Sequence, residues 1–205
     1  TCALPIFACC IHAVDRANVR YGDTVVIFGA GSMAQILGQL FKASNAEKVY
    51  MVAGKSSKLD LAAKYGIIPI EMNRNDYSVH ENVLLKENPL GVDLIIDATG
   101  STKVISESMK LLKKGGTLLQ YAIVHSGEKV EMDPVLMFNN ELTYTASFCQ
   151  SHNFGRAVDA LASGIVDGDN LVTGEFPLDD FYKGLDENVK DRNSIKVIIH
   201  PNTEE

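Results

Sequence analysis

A glycine-rich turn near the start of the chain has the residue types needed to hold an anionic cofactor. Its pattern, Gly-x-Gly-x-x-Ala, runs from Gly29 to Ala34. It follows a predicted strand, 24–28, and opens a predicted helix, 32–43, which is the context in which such a motif is informative. Gly29 permits the tight turn, Gly31 lets the backbone approach a pyrophosphate, and N–H groups at the helix start attract negative charge. We therefore predict dinucleotide contacts at Gly29, Gly31, Ser32 and Met33, the alternative being a purely structural turn.

The end of the second predicted strand, 48–52, indicates which dinucleotide is preferred. Domains that prefer NAD usually carry an acidic residue there, about 20 residues beyond the glycine turn, to bind the ribose hydroxyls. Here the strand leads into Ala53-Gly54-Lys55-Ser56-Ser57-Lys58, which contains no acid. Lys55 and Lys58 supply cations, and the serines supply hydroxyl groups for a 2′-phosphate. We predict a preference for NADP over NAD, with contacts at Ala53, Gly54, Lys55 and Ser56; the alternative is a solvated lysine loop.

Two further strand ends are expected at the same edge of the sheet. Predicted strand 92–97 leads into Thr99 and Gly100, and predicted strand 117–123 contains Tyr121 and Ala122 near its end. Ligands of open α/β sheets bind at the carboxyl ends of the strands, so we expect all four residues to line the cofactor crevice. For Thr99, capping of the following helix is an equally good interpretation.

The alternation of β-branched runs with helical stretches predicts an α/β fold of the Rossmann type. We expect a doubly wound parallel sheet with strand order 3-2-1-4-5-6 and a short C-terminal extension. Residues 1–163 would form the dinucleotide-binding domain with a leading helix, and residues 164–205 a return segment that belongs to a catalytic domain. The other expected strands are 67–70, 142–148, 171–176 and 195–199, and the other expected helices are 57–65, a stretch near the end of 73–86, 103–112, 154–162 and 178–189.

Composition and scattered polar residues restrict the remaining functions. The net charge of −7 argues against a nucleic-acid or anionic-membrane partner, and no apolar run is long enough to span a bilayer. The four cysteines form no C-x-x-C pair, and we expect buried thiols in a reducing, cytoplasmic setting. His80 lies in a polar stretch and is expected to be solvated rather than liganding. We find no catalytic or metal-binding constellation, and predict no catalytic or metal residues for this chain.

Several motifs, taken in order, resemble the medium-chain, zinc-type alcohol and polyol dehydrogenases. The resemblance covers nearly all 205 residues. The motifs that carry it are His12-Ala13-Val14, the run from Tyr21 to Gly31, Asp97-Ala98-Thr99-Gly100, Lys114-Gly115-Gly116-Thr117, Leu171-Val172-Thr173, Phe176-Pro177-Leu178 and the run from Ile195 to Ile199.

The resemblance implies hydride transfer between NAD(P) and a small alcohol, polyol or sugar alcohol bound to zinc. In such enzymes the zinc ligands precede the nucleotide fold, so here they would lie upstream of Thr1 and the chain alone would be inactive. Polyol-type members carry a Glu where Pro5 falls here, so either the alignment shifts slightly or the zinc site differs from the polyol type. The resemblance also implies a homodimer or higher homo-oligomer formed through the sixth strand, 142–148.

Two other interpretations are open at this point. The chain could be part of a zinc-free quinone or enoyl reductase of the same superfamily, whose upstream half lacks the cysteine and His-Glu ligands. It could also be a non-catalytic NAD(P)-sensing module that binds a partner protein, since no catalytic residue is found. The sequence of the upstream half would separate these alternatives.

Overall fold

The computed structural model describes residues 4–201 and consists of a six-stranded parallel sheet, a smaller two-stranded sheet and flanking helices. The large sheet has the order β3-β2-β1-β4-β5-β6, which confirms the predicted Rossmann topology. Its strands are β1 (Thr24–Phe28), β2 (Lys48–Ala53), β3 (Ile68–Glu71), β4 (Val92–Asp97), β5 (Leu112–Gln120) and β6 (Thr143–Ala146).

Helices cover both faces of the large sheet, which is why its central strands are continuously apolar. All five residues of β1 are buried, and alternate side chains enter opposite layers: Val25 and Ile27 in one, Val26 and Phe28 in the other. The first layer is completed by α1 (Leu4–Ala17), α2 (Ser32–Lys42), α3 (Ser57–Lys64) and α7 (Phe154–Ala162), and the second by α4 (Ser78–Glu87), α5 (Thr102–Ser108) and α6 (Pro134–Asn139).

The C-terminal part of the chain forms a second, parallel sheet of two strands, β7 (Val172–Pro177) and β8 (Lys196–His200). They are joined by the crossover helix α8 (Phe181–Lys190), which follows a 3₁₀ turn at Leu178–Asp180. This helix packs closely on the sheet through Gly184, where a Cβ would lie 2.9 Å from the Ile199 Cδ1 atom. A larger residue at that position would push the helix off the sheet.

One departure from the predicted elements concerns β5, which begins five residues before the expected start and ends at Gln120 rather than 123. Its Gly115-Gly116 pair lies inside the strand, where pairing with β4 shifts register between Val92 and Leu94. At the other end, the N–H groups of Tyr121 and Ala122 both donate to the Asp97 carbonyl, at 2.9 and 3.0 Å. The backbone therefore turns away from the ladder before the expected end.

Helix α6 was absent from the predicted elements, although its start has a clear signal. Asp133 Oδ1 accepts hydrogen bonds from the N–H groups of Val135 and Leu136, and Pro134 occupies the first helical position. Among residues 4–201, no helix combines the length and the apolar character needed to cross a membrane.

Candidate functional site

The glycine turn has an open space directly above its backbone. Gly29 has φ +115°, and a Cβ there would lie 3.0 Å from the Ala98 carbonyl oxygen, so both conformation and space require glycine. Gly31 is the N-cap of α2, and a Cβ there would meet nothing within 4 Å. No side chain caps this helix start, so its first N–H groups are free to bind an anion.

Asp97 at the end of β4 holds the neighbouring turn in place. Its carboxylate is fully buried and accepts hydrogen bonds from Thr99 N (3.0 Å), Thr99 Oγ1 (2.6 Å) and Gly100 N (3.2 Å). Burial raises the pKa of Asp97, and the three hydrogen bonds oppose that rise. Ser101, rather than Thr99, is the N-cap of α5, because its Oγ accepts from Val104 N. Of the two interpretations of Thr99, helix capping is therefore wrong.

The glycine turn and the end of β2 line one crevice of about 790 Å³. It brings together seven predicted site residues: Gly29, Gly31, Ala53, Gly54, Lys55, Ser56 and Thr99. Lys58 also lines it; burial lowers the pKa of this lysine, and the negative charge of Asp191 opposes that effect. The crevice is thus bounded on one side by the glycine turn, with its uncapped helix start, and on another side by two lysines.

Two arginines on this crevice, Arg74 and Arg192, were missed in the sequence analysis. Arg74 follows β3, whose carboxyl end lies at the same edge as that of β2, so the strand-end rule could have found it. Arg192 lies between α8 and β8, in the second sheet's connection. Nothing in the sequence pattern predicts that this connection reaches the crevice.

The other predicted site residues lie beside the crevice. Ser32 lines a separate cavity of about 40 Å³ together with residues of α1 and β8. Tyr121 Oη donates to Met33 Sδ at 3.3 Å and lies 3.4 Å from Cys10 Sγ. Gly100 has φ +70°, and a Cβ there would lie 2.4 Å from the Ile123 carbonyl oxygen and 3.6 Å from Ala122 Cβ.

Burial keeps Cys10 and Tyr121 in their neutral forms. It raises the pKa of Tyr121 far above its usual range and that of Cys10 to about 12. Burial of Cys10 agrees with expectation, whereas the neighbouring Cys9 is only half-buried. Cys149 is exposed in the loop after β6. Cys2 lies outside the described residues. Residues 4–201 bring together no three His, Cys, Asp or Glu side chains able to hold a metal.

The expectation that His80 is solvated is wrong. Its ring is 1% exposed and makes edge contacts with Phe28 and Tyr77, at centroid distances of 5.8 and 5.2 Å. Burial lowers the pKa of His80, which favours the neutral imidazole. Polar neighbours surround His80 in the sequence, but in α4 the buried positions are His80 and Leu84, one helical turn apart.

Comparison with known proteins identifies the family. The family model described as zinc-binding dehydrogenase matches residues 31–163. The chain belongs to this family. The predicted resemblance is thereby confirmed, and the match begins at Gly31, the second glycine of the turn.

The chain is similar to polyol dehydrogenases from several organisms. It is 31% identical over 197 residues to D-arabinitol dehydrogenase 1 of Uromyces fabae, covering 95% of this chain and 56% of that protein. It is 28% identical over 194 residues to erythritol/L-threitol dehydrogenase of Mycolicibacterium smegmatis, covering 95% and 53%. A solved zinc-binding dehydrogenase from Sinorhizobium meliloti 1021, bound to NADP, superimposes with a TM-score of 0.87 at 26% identity, covering 97% of this chain and 58% of that one. The chain thus spans just over half the length of these relatives.

Proposed function

We propose that this chain is the NADP-preferring cofactor-binding part of an oxidoreductase that transfers hydride between NAD(P) and an alcohol or polyol. The observation that carries the proposal is the composition of the 790 Å³ crevice. Its turn offers free N–H groups for a diphosphate. At the end of β2, where an NAD-preferring domain would place a carboxylate, there is Ala53, and Lys55 follows close behind it.

The residues of the crevice fit a dinucleotide. The open space above Gly31 leaves room for a diphosphate against the start of α2, where the N–H groups and the helix dipole favour negative charge. Gly29 and the buried Asp97 fix the two turns that flank this space. When bound, the nicotinamide of such a cofactor donates or accepts the hydride.

The preference for NADP follows from charge at the end of β2. Ala53 has no carboxylate to repel a 2′-phosphate, and Lys55 is exposed on the crevice. A charge-assisted hydrogen bond contributes about 1.5–3 kcal/mol, which is about a tenfold to hundredfold change in affinity. NAD, which lacks this phosphate, gains nothing from Lys55.

The substrate class rests on the relatives, whose names are those of polyol dehydrogenases. We assign no zinc-dependent step to residues 4–201, because they form no metal-ligand cluster. In this proposal residues 1–163 bind the cofactor, and residues 164–205 join a catalytic domain that holds the zinc. The cytoplasmic location expected from the cysteines stays a prediction.

We also propose a homodimer or higher homo-oligomer assembled through β6. This strand is the edge of the large sheet and pairs with β5 alone. Arg16 Nε donates to the outward-facing Ala146 carbonyl at 2.6 Å, and the rest of this edge could pair with a second copy. Phe138 and Phe148, 84% and 79% exposed, lie in the chain on either side of it. Sedimentation of the wild type and of Phe148→Asp, which changes an exposed side chain next to the edge, tests this, with a monomeric wild type as the contradicting result.

Calorimetric titration of the chain with NADP and NAD tests the cofactor assignment. Lys55→Ala is expected to weaken NADP binding about tenfold or more and to leave NAD binding unchanged. Lys64→Ala, which removes an exposed cation from the last turn of α3 away from the crevice, is the matched control. Stronger binding of NAD by the wild type would refute the NADP preference. Reduction of NADP by the full-length enzyme with D-arabinitol tests the substrate class.

A further inference from the structure

The last turn of α8 and its connection to β8 reach the cofactor crevice from the second sheet. Asn188, Val189, Asp191 and Arg192 line the same crevice as the glycine turn and the end of β2. The crevice is therefore built from two parts of the chain that are more than a hundred residues apart in sequence.

A network of hydrogen bonds fixes the backbone on both sides of Arg192. Asn193 N donates to Asp191 Oδ1 at 2.8 Å, and Ser194 N donates to the Asp191 carbonyl at 3.1 Å. The Ser194 hydroxyl, which is buried, lies 3.3 Å from Thr173 Oγ1 of β7. Arg192 thus projects from a closed turn rather than from a free loop, which lowers the entropy lost when it binds a ligand.

The same turn is docked on the loop that carries Lys55. Asn193 Oδ1 accepts hydrogen bonds from Ser57 Oγ at 2.9 Å and Ser57 N at 3.4 Å. Ser56, the N-cap of α3, makes no side-chain capping bond of its own. Asn193 therefore satisfies a donor in the first turn of α3, and this contact keeps Arg192 beside the Lys55 loop.

The crevice carries more positive than negative charge. Lys55, Arg74 and Arg192 are exposed on it, and none of the three has an ion-pair partner within the part of the chain that the structure describes. Lys58 faces Asp191, the acidic residue that lines the crevice. Three uncompensated cations around one crevice favour a ligand with a dianionic group.

We propose that Arg192 is a specificity-determining residue that binds the 2′-phosphate of NADP together with Lys55. This inference rests on the proposed cofactor function and extends it to the C-terminal segment. A guanidinium group suits a phosphate because it donates two parallel hydrogen bonds, and it stays charged at all relevant pH values. NAD has a free hydroxyl in place of this phosphate, so Arg192 discriminates between the two cofactors.

The test compares wild type, Arg192→Gln and Lys190→Ala by calorimetry with four probes: NADP, NAD, 2′,5′-ADP and 5′-AMP. Arg192→Gln is expected to weaken NADP and 2′,5′-ADP about tenfold or more and to leave NAD and 5′-AMP unchanged. Lys190 is paired with Asp186 in the last turn of α8 and does not line the crevice, so Lys190→Ala controls for loss of a nearby charge. Thermal unfolding of each variant shows whether the turn has stayed folded.

Two results would overturn the inference while leaving the proposed function intact. Equal weakening of NADP and NAD by Arg192→Gln would mean that Arg192 contacts a group that both cofactors share. Unchanged affinities for both NADP and NAD would mean that Lys55 or Arg74 acts without it. A wild type that binds neither dinucleotide, or prefers NAD, would instead refute the proposed function itself and the role of Arg192 with it.

Discussion

The two parallel sheets of this chain differ in how deeply their strands are buried. Every residue of β1 is buried, whereas β7 alternates half-buried and exposed positions and β8 has no fully buried residue. The large sheet is covered by helices on both faces, and the small sheet meets α1 and α2 across a cavity of about 40 Å³. The large sheet therefore holds most of the buried apolar area, which is the main source of stability.

The small sheet is attached at a few points to the large unit, by which we mean the six-stranded sheet and the helices that cover it. Val166 and Leu171, which precede β7, are buried in the first apolar layer. Gln39 of α2 binds the backbone of Asp167, and Asn193 binds Ser57. The comparison indicates that the large unit determines whether the chain folds, and that these attachments determine where the C-terminal residues lie relative to the crevice.

The largest expected loss of stability comes from truncating a buried side chain in the core of the large unit. Phe41 in α2 is 0% exposed, so Phe41→Ala should lower the free energy of unfolding by about 3–5 kcal/mol. Phe176→Ala in β7 should cost less than half as much, because this side chain is only half-buried. Urea unfolding of both variants measures the difference. Equal losses would contradict the view that the two sheets differ in their contribution.

Loss of one attachment point should destabilise the small sheet more than the large sheet. Gln39 Oε1 accepts from Asp167 N at 2.7 Å, and Gln39→Ala leaves that backbone donor without its partner, at a cost of about 1–3 kcal/mol. Hydrogen exchange should then speed up in β7 and β8 more than in β1. Lys42→Ala, a change at an exposed position in the same helix, is the control. Uniform acceleration in both sheets would show that they open together.

Acidification should lower the free energy of unfolding through His80, which is buried in the large unit. Burial lowers the pKa of His80 below its ordinary value of 6.5 in the folded state, and Lys110 lowers it further, whereas Glu81 and Asp76 oppose the shift. The unfolded chain therefore binds a proton first, and the free energy of unfolding falls as the pH drops below about 6.5. His80→Phe should reduce this dependence between pH 7.5 and 5.5 in urea titrations. An unchanged pH profile would assign the loss to other groups.

The sequence predicted the glycine turn and the end of β2 because both depend on local backbone and charge rules. The positions of Gly29 and Lys55 on the crevice could be predicted from strand order, since Gly29 directly follows β1 and Lys55 lies just beyond the end of β2. Arg192 could not, because its position depends on how the second sheet packs and on the Asn193–Ser57 contact. His80 is a third case: its helical spacing from Leu84 indicates burial, but the polar residues around it in the sequence suggest exposure.

The smallest effect on stability is expected from an ion pair on the surface of the large unit. This pair tests whether burial, or merely belonging to the large unit, determines how much a residue contributes to stability. Arg156 of α7 binds Asp15 of α1 with two hydrogen bonds of 2.5 and 2.9 Å, but both side chains are largely exposed to solvent. A double-mutant cycle with Asp15→Asn and Arg156→Gln should give a coupling of about 0.2–1 kcal/mol. The coupling should shrink further in high salt, because exposed charges are screened. A coupling as large as the Phe41→Ala loss would show that membership of the large unit, rather than burial, sets the energetic weight of a residue.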